Sequence, residues 1–244
     1  MIFTIIDDKM LLIKLAMILL LPTVFGAGSL EKAGKISDGK NNISVKKPEG
    51  CKKMSTVKKV SDEEGKYLIN LARETIKNEL NKKKMSPLEW EKISDTFKEN
   101  LGTFVTLTIG GNLRGCIGHI IPRETLIEGV KENAINAAFR DPRFPPLSKE
   151  ELEKIDIEVS ILTYPEELPY KDAEDLLNKL RPGVDGVIIK KGFYESTFLP
   201  QVWEQLPSKE GFLSHLCMKA GLPADAWKRE KLSVSTYQVQ AFEE

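Results

Sequence analysis

FVTLTIGGNLRGCIGHI, Phe104 to Ile120, reads as two strands folded back on one another. Phe104 to Ile109 is β-branched and aromatic, Gly110-Gly111-Asn112 is turn chemistry, and Leu113 begins the return strand, which Pro122 ends. On the return strand, alternation is expected to set Arg114 and Cys116 on one face and Ile117 on the other. Gly115 and Gly118 bring no side chain, and interior glycines mark a bulge or a place where something approaches the backbone closely.

Outward from this hairpin, helical and extended patterns alternate. Upstream, Ser61 is an N-cap with Asp62, Glu63 and Glu64 in the first turn, and Tyr67, Leu68, Leu71, Ile76 and Leu80 form an apolar stripe. Downstream, Thr125 to Phe139 carries Leu126, Val130, Ala134, Ala137 and Ala138 along one helical face, the alanines implying close packing on a sheet. DPRFPPLSKEEL is a proline-stiffened loop closed by Ser148 and Glu151 as a capping box. IDIEVSIL alternates Ile155, Ile157, Val159 and Ile161 with polar residues, as a half-buried strand does. A short helix over Asp172 to Leu180, strands at GVIIKKG and YESTFLPQV, a helix over Phe212 to Ala220 stopped by Gly221, and a last strand at LSVSTYQVQAF complete the reading.

Hairpin signals among interleaved helices predict an α+β fold: a mixed, largely antiparallel sheet flanked by helices, with a smaller second subdomain. The ordered domain is expected over 61–244. Residues 29–60, rich in Lys, Gly, Ser and Asn, read as a flexible linker. Residues 1–28 resemble a signal peptide: Lys9 and Lys14, an apolar run from Leu15 to Phe25, then Gly26, Ala27 and Gly28. The run is short for a membrane span. Export is the expectation from this segment, and a cytoplasmic protein is the expectation if translation starts at Met54.

Composition removes several classes. Lys+Arg and Asp+Glu each count 36, so nothing suggests an electrostatic footprint for nucleic acid or for anionic membrane surfaces. Cys51, Cys116 and Cys217 lack paired spacing, and His119 and His215 are the only histidines, so neither a disulfide framework nor a structural metal cage is expected. GxGxxG, P-loop and GxSxG patterns are absent.

The chemistry-bearing candidates gather around Cys116. A cation beside a cysteine favours the thiolate, its reactive form, and glycines on both sides would leave room for a small substrate. Asp141 and Arg143 sit in the stiffened loop, and Glu158 and Ser160 share the polar face of their strand. If these converge, Cys116 is the nucleophile and Glu158 the proton shuttle. Arg114, Gly115, Gly118, Asp141 and Arg143 then hold a carboxylate or phosphate substrate. His119, three residues from Cys116 on a strand, belongs on the opposite face. A rigid surface for a protein partner, and a redox or metal protein, are the alternatives.

LRGCIGHI, NAINAAFRDPRFPPLSKEEL, IDIEVSILTYPEEL, GVDGVIIKKG, FLPQVW and FLSHLCMKAGL, in this order from about Ser61 to the carboxy terminus, resemble the AMMECR-domain family, also called AmmeMemoRadiSam system protein A. The resemblance implies an α+β fold whose larger subdomain carries the RGCIG strand. It implies partners, a Memo-like protein and a radical S-adenosylmethionine enzyme, and leaves reaction and cofactor unknown. The family motif carries over at Arg114, Gly115, Cys116, Ile117 and Gly118 and at Asp141, Pro142, Arg143 and Phe144. His119 departs from it, standing where other members often have a small polar residue.

Overall fold

Ser61 starts the first helix as its chemistry demands. Its hydroxyl accepts from the Glu64 amide and the Glu64 carboxylate accepts from the Ser61 amide, so two unpaired N–H groups of the first turn are satisfied. The computed structural model describes residues 59–84, 91 and 93–244; the signal-like segment, Cys51 and the linker up to residue 58 lie outside the described residues. Helix α1 (Asp62–Leu80) buries Leu68, Leu71, Ala72 and Ile76, while Tyr67 turns to the rim of that stripe, 46% exposed, and stacks on Phe97.

Strands β1 (Gly102–Ile109) and β2 (Asn112–His119) are the expected hairpin, one residue tighter at its turn. Gly110 and Gly111 both take positive φ, 54° and 76°, which residues with a Cβ resist. Helix α2 (Leu126–Phe139), the short capped helix α3 (Lys149–Leu152) and strand β3 (Ile155–Leu162) follow as the patterns require. Then come β4 (Glu166–Glu167), α4 (Ala173–Lys179), β5 (Gly186–Lys191), β6 (Tyr194–Phe198), α5 (Lys209–Lys219), α6 (Ala226–Arg229), β7 (Ser233–Tyr237) and β8 (Val239–Glu243).

The architecture is α+β, with the strands divided between two four-stranded sheets in the orders β2-β1-β3-β8 and β4-β7-β5-β6. All the described pairings are antiparallel. Two strand readings are corrected. YESTFLPQV leaves the sheet after Phe198, because Pro200 has no N–H for a ladder and instead opens a 3₁₀ turn over Pro200–Glu204. LSVSTYQVQAF is two strands, since Gln238 steps from one sheet to the other. The Thr163 amide donates to the Gln238 carbonyl at 3.0 Å and the Gln238 amide to the Thr163 hydroxyl at 2.9 Å.

These sheets enclose three apolar regions. One face of the first sheet, with Val105, Leu107, Ile157 and Val159, packs on α1 and α2. The second sheet packs Val187, Ile189 and Phe198 against Trp203, Phe212 and the following helices. Between the sheets, Phe104, Cys116 and Leu162 of the first meet Ile188 and Tyr237 of the second. Cys116 therefore lies in the seam where the sheets meet.

Candidate functional site

The β1–β2 ladder contains a one-residue irregularity at the arginine. Leu107 pairs with Gly115 and Thr108 with Leu113, which leaves Arg114 as the extra residue of a β-bulge. The bulge overturns the expectation that Arg114 shares a face with Cys116. Arg114 leaves the strand toward the loop after α2. There its Nε donates to Glu151 Oε1 at 2.7 Å, and its Nη2 donates to Glu151 Oε2 at 3.0 Å and to the Pro145 carbonyl at 2.9 Å. This two-pronged bond drives the Glu151 carboxyl down to about 2, assisted by the Ser148 amide.

Past the bulge, Cys116 stands opposite Thr106, and Thr106 stands opposite Glu158, so thiol, hydroxyl and carboxylate form one row across three strands. The Thr106 hydroxyl donates to Cys116 Sγ at 3.3 Å, and the Ser160 hydroxyl donates to Glu158 Oε1 at 2.9 Å. The row brings Cys116 and Glu158 together as expected; Thr106, which joins them, was not among the sequence candidates.

At the outer edge of β2 the DPR loop replaces a neighbouring strand. The Cys116 amide donates to Asp141 Oδ2 at 2.9 Å, and the Cys116 carbonyl accepts from Arg143 Nη2 at 3.0 Å. Asp141 in turn accepts from the Arg143 amide, from its Nε at 2.9 Å and from its Nη2 at 2.6 Å. Burial alone would raise the Asp141 carboxyl, but the Arg143 guanidinium and two main-chain N–H groups hold it below the usual carboxylate range. Asp141 and Arg143 thus grip the backbone of Cys116, with the sulfur on another side of the residue.

The glycines do not leave the space that sequence reasoning assigned to them. A Cβ on Gly115 would lie 2.1 Å from the Ala137 carbonyl oxygen, so the last turn of α2 fills that side. A Cβ on Gly118 would lie 2.2 Å from the Thr103 carbonyl oxygen and 2.4 Å from the Phe104 ring. Both glycines admit the protein's own atoms, backbone in each case and an aromatic ring besides at Gly118. Cys116 itself is 7% exposed, and burial pushes its thiol up to about 11, against the smaller opposing pulls of Thr106 and Arg143. Burial thus works against the thiolate and outweighs the cation.

His119 lies on the helix side, as its spacing from Cys116 implies. It pairs with Thr103 on β1, whose hydroxyl accepts from Asn133 of α2, and its Nε2 stands 3.0 Å from Glu124 Oε1. Among the described residues, no group of three or more His, Cys, Asp or Glu side chains is placed to hold a metal ion. No described helix is long and apolar enough to cross a membrane.

The remaining members of the site are aromatic and cationic. The guanidinium carbons of Arg114 and Arg143 lie 5.8 and 5.6 Å from the centroid of the Phe144 ring. Each arginine retains one buried nitrogen, Nη1, with no hydrogen-bond partner among the described residues. From the sequence, Phe144 was legible only as a residue of the family motif and Glu151 only as a capping-box residue, neither with a role in the site.

An α+β protein of two antiparallel sheets, with a cysteine-bearing strand braced by two arginine–carboxylate pairs, is the class so defined. The chain belongs to the AMMECR1 family, whose model matches residues 69–242. A protein of Methanothermobacter thermautotrophicus is 43% identical over 190 residues, 76% of this chain and 96% of that one. Protein Mbar_A1807 of Methanosarcina barkeri is 44% identical over 189 residues, covering 76% and 92%. Among solved structures, uncharacterized protein PH0010 from Pyrococcus horikoshii is 38% identical. It aligns with a TM-score of 0.67 over 76% of this chain and 93% of that one.

Proposed function

We propose that the protein binds a small anion of the carboxylate or phosphate class at the outer edge of β2, beside Arg114, Arg143 and Phe144. One observation carries this reading: both guanidinium groups keep a buried, unpartnered Nη1 next to the same aromatic ring. A buried cationic donor without an acceptor is costly, and an oxyanion reaching both would satisfy them with charge-assisted bonds. Glu151 and Asp141 already balance the two positive charges. Selectivity would therefore come from directed N–H groups rather than from net charge.

Cys116, Thr106 and Glu158 supply what chemistry the site would add. The thiol holds its proton near neutral pH, so as a nucleophile Cys116 must first release it; Glu158, in the same cross-strand row with the Thr106 hydroxyl between, is the acceptor. Nitrogen-detected NMR of the arginine Nε–H groups during titration with inorganic phosphate, and separately with acetate, tests the binding. The Arg114 and Arg143 signals are expected to shift together, and Arg143→Lys to weaken the response about tenfold through loss of the planar fork. Unmoved signals with both anions would reject the reading.

Burial of the sulfur favours a second reading, a non-catalytic module that docks a Memo-like protein and a radical S-adenosylmethionine enzyme. Here Cys116→Ser leaves capture of those partners intact, whereas Arg143→Glu, with its fold verified by circular dichroism, abolishes it. Unchanged capture by the arginine variant would remove this version.

A further inference from the structure

The turn that replaced the expected end of β6 carries two glutamines the site above does not use. Val202 and Trp203 of the 3₁₀ turn, and Leu206 just beyond it, point into the apolar region beneath the second sheet. The Leu206 amide donates to the Val202 carbonyl at 2.9 Å, so the segment closes in an α-like turn. Gln201 and Gln205, four apart and each half-buried, are neighbours along that turn. Leu199, the residue that caps this turn, packs in the seam between the sheets with Phe104 and Cys116.

Three polar atoms of these two side chains are buried and have no hydrogen-bond partner among the described residues: Gln201 Oε1, Gln205 Oε1 and Gln205 Nε2. Buried amides are nearly always paired, so an amide orphaned at both its donor and its acceptor marks a place where a partner belongs. Exchanging the oxygen and nitrogen of Gln205 changes nothing, since both are orphaned. No charged partner is called for, as a carboxamide is neutral and offers one donor edge and one acceptor edge side by side. The complement of that edge is another amide held cis, with N–H and C=O pointing the same way.

We propose that Gln201 and Gln205 form a recognition site for a neutral planar cis-amide, the group found in lactams and cyclic imides. It is distinct from the anion-binding edge of β2 and rests on none of its residues. The Gln205 carboxamide pairs with the ligand's N–H and C=O, and the Gln201 oxygen is a second acceptor for the same N–H.

The test is to follow the side-chain NH₂ signals of both glutamines in the full chain while adding 2-pyrrolidinone, with N-methyl-2-pyrrolidinone as the ligand lacking the donor. Both signals are expected to shift with 2-pyrrolidinone, and the N-methylated ligand to bind about tenfold more weakly, as loss of one neutral hydrogen bond implies. Gln205→Met should abolish the response, while the two-ligand comparison on the unaltered protein stands whether or not that variant folds. Absence of any shift, equal response to the two ligands, or an undiminished response in folded Gln205→Met would each overturn the proposal.

Discussion

At Cys116 two opposing influences can be ranked. Arg143 and the Thr106 hydroxyl favour the thiolate, but burial in the seam dominates and leaves the thiol protonated up to about 11. Iodoacetamide is therefore expected to modify Cys116 slowly at pH 8, where about a thousandth of it is thiolate, and about tenfold faster per pH unit until the group titrates. Cys217, fully buried, should lag behind it throughout, and mass spectrometry of the alkylated chain distinguishes the two. Thr106→Val removes the hydroxyl that favours the thiolate and should slow alkylation further at fixed pH. The same elevation fixes a direction for stability. The folded state holds the proton more tightly than the unfolded state, so this contribution is present below the ordinary value of 9.0 and is lost as pH rises through about 11. A denaturant midpoint that rises over that range would contradict it. Cysteine, arginine and glycine in one short strand announced a special place in the sequence. Which side each faced was not legible, because the unpaired Arg114 shifts the register by one residue and so moves every later side chain to the other face.

The DPR loop acts on β2 as a strand would, which makes it an element in its own right. Its grip depends on Asp141, buried and bonded to both Arg143 and the Cys116 amide. Asp141→Asn leaves Arg143 without its countercharge and should destabilise the fold by about 3–5 kcal/mol in urea titration. The opposite, inner side of the strand is held by shape. Gly115→Ala sets a methyl group against the Ala137 carbonyl, which belongs to a helix backbone and cannot swing aside; a loss of more than about 2 kcal/mol is expected. An alanine variant as stable as the parent would show that α2 can withdraw. Periodicity made α1, α2 and β3 readable, whereas β1, buried on both faces, was legible from its β-branched and aromatic run. The end of β6 and the break at Gln238 were missed for a different reason. Pro200 and Gln238 sit in runs of strand-forming residues, where local preference says extended and only the division into two sheets says otherwise.

For the whole molecule, sequence patterns yielded the α+β class and its largely antiparallel pairing, but not the division of the strands between two sheets. Sheet membership depends on pairings between distant residues, such as β3 with β8 and β5 with β7, and no local signal encodes them. Export remains our proposal, through the signal-peptide-like residues 1–28. If it holds, amino-terminal sequencing of the full chain expressed in a secreting host should find a new terminus just after Gly26 or Gly28. An intact leader in a secreted fraction, or a protein beginning at Met54 in its native cell, would reject it. The chain passes between the sheets twice, after β3 and after β7, and the Thr163–Gln238 pair fastens the two passages to each other. They lie along one margin, where β3 and β8 adjoin β4 and β7, while β2 and β6 occupy the far margins. A molecule stitched on one side is bound like a book at its spine. Any tilt of one leaf against the other would be smallest at Thr163 and Gln238 and largest along the strand of Cys116 and the strand that leads to Gln201.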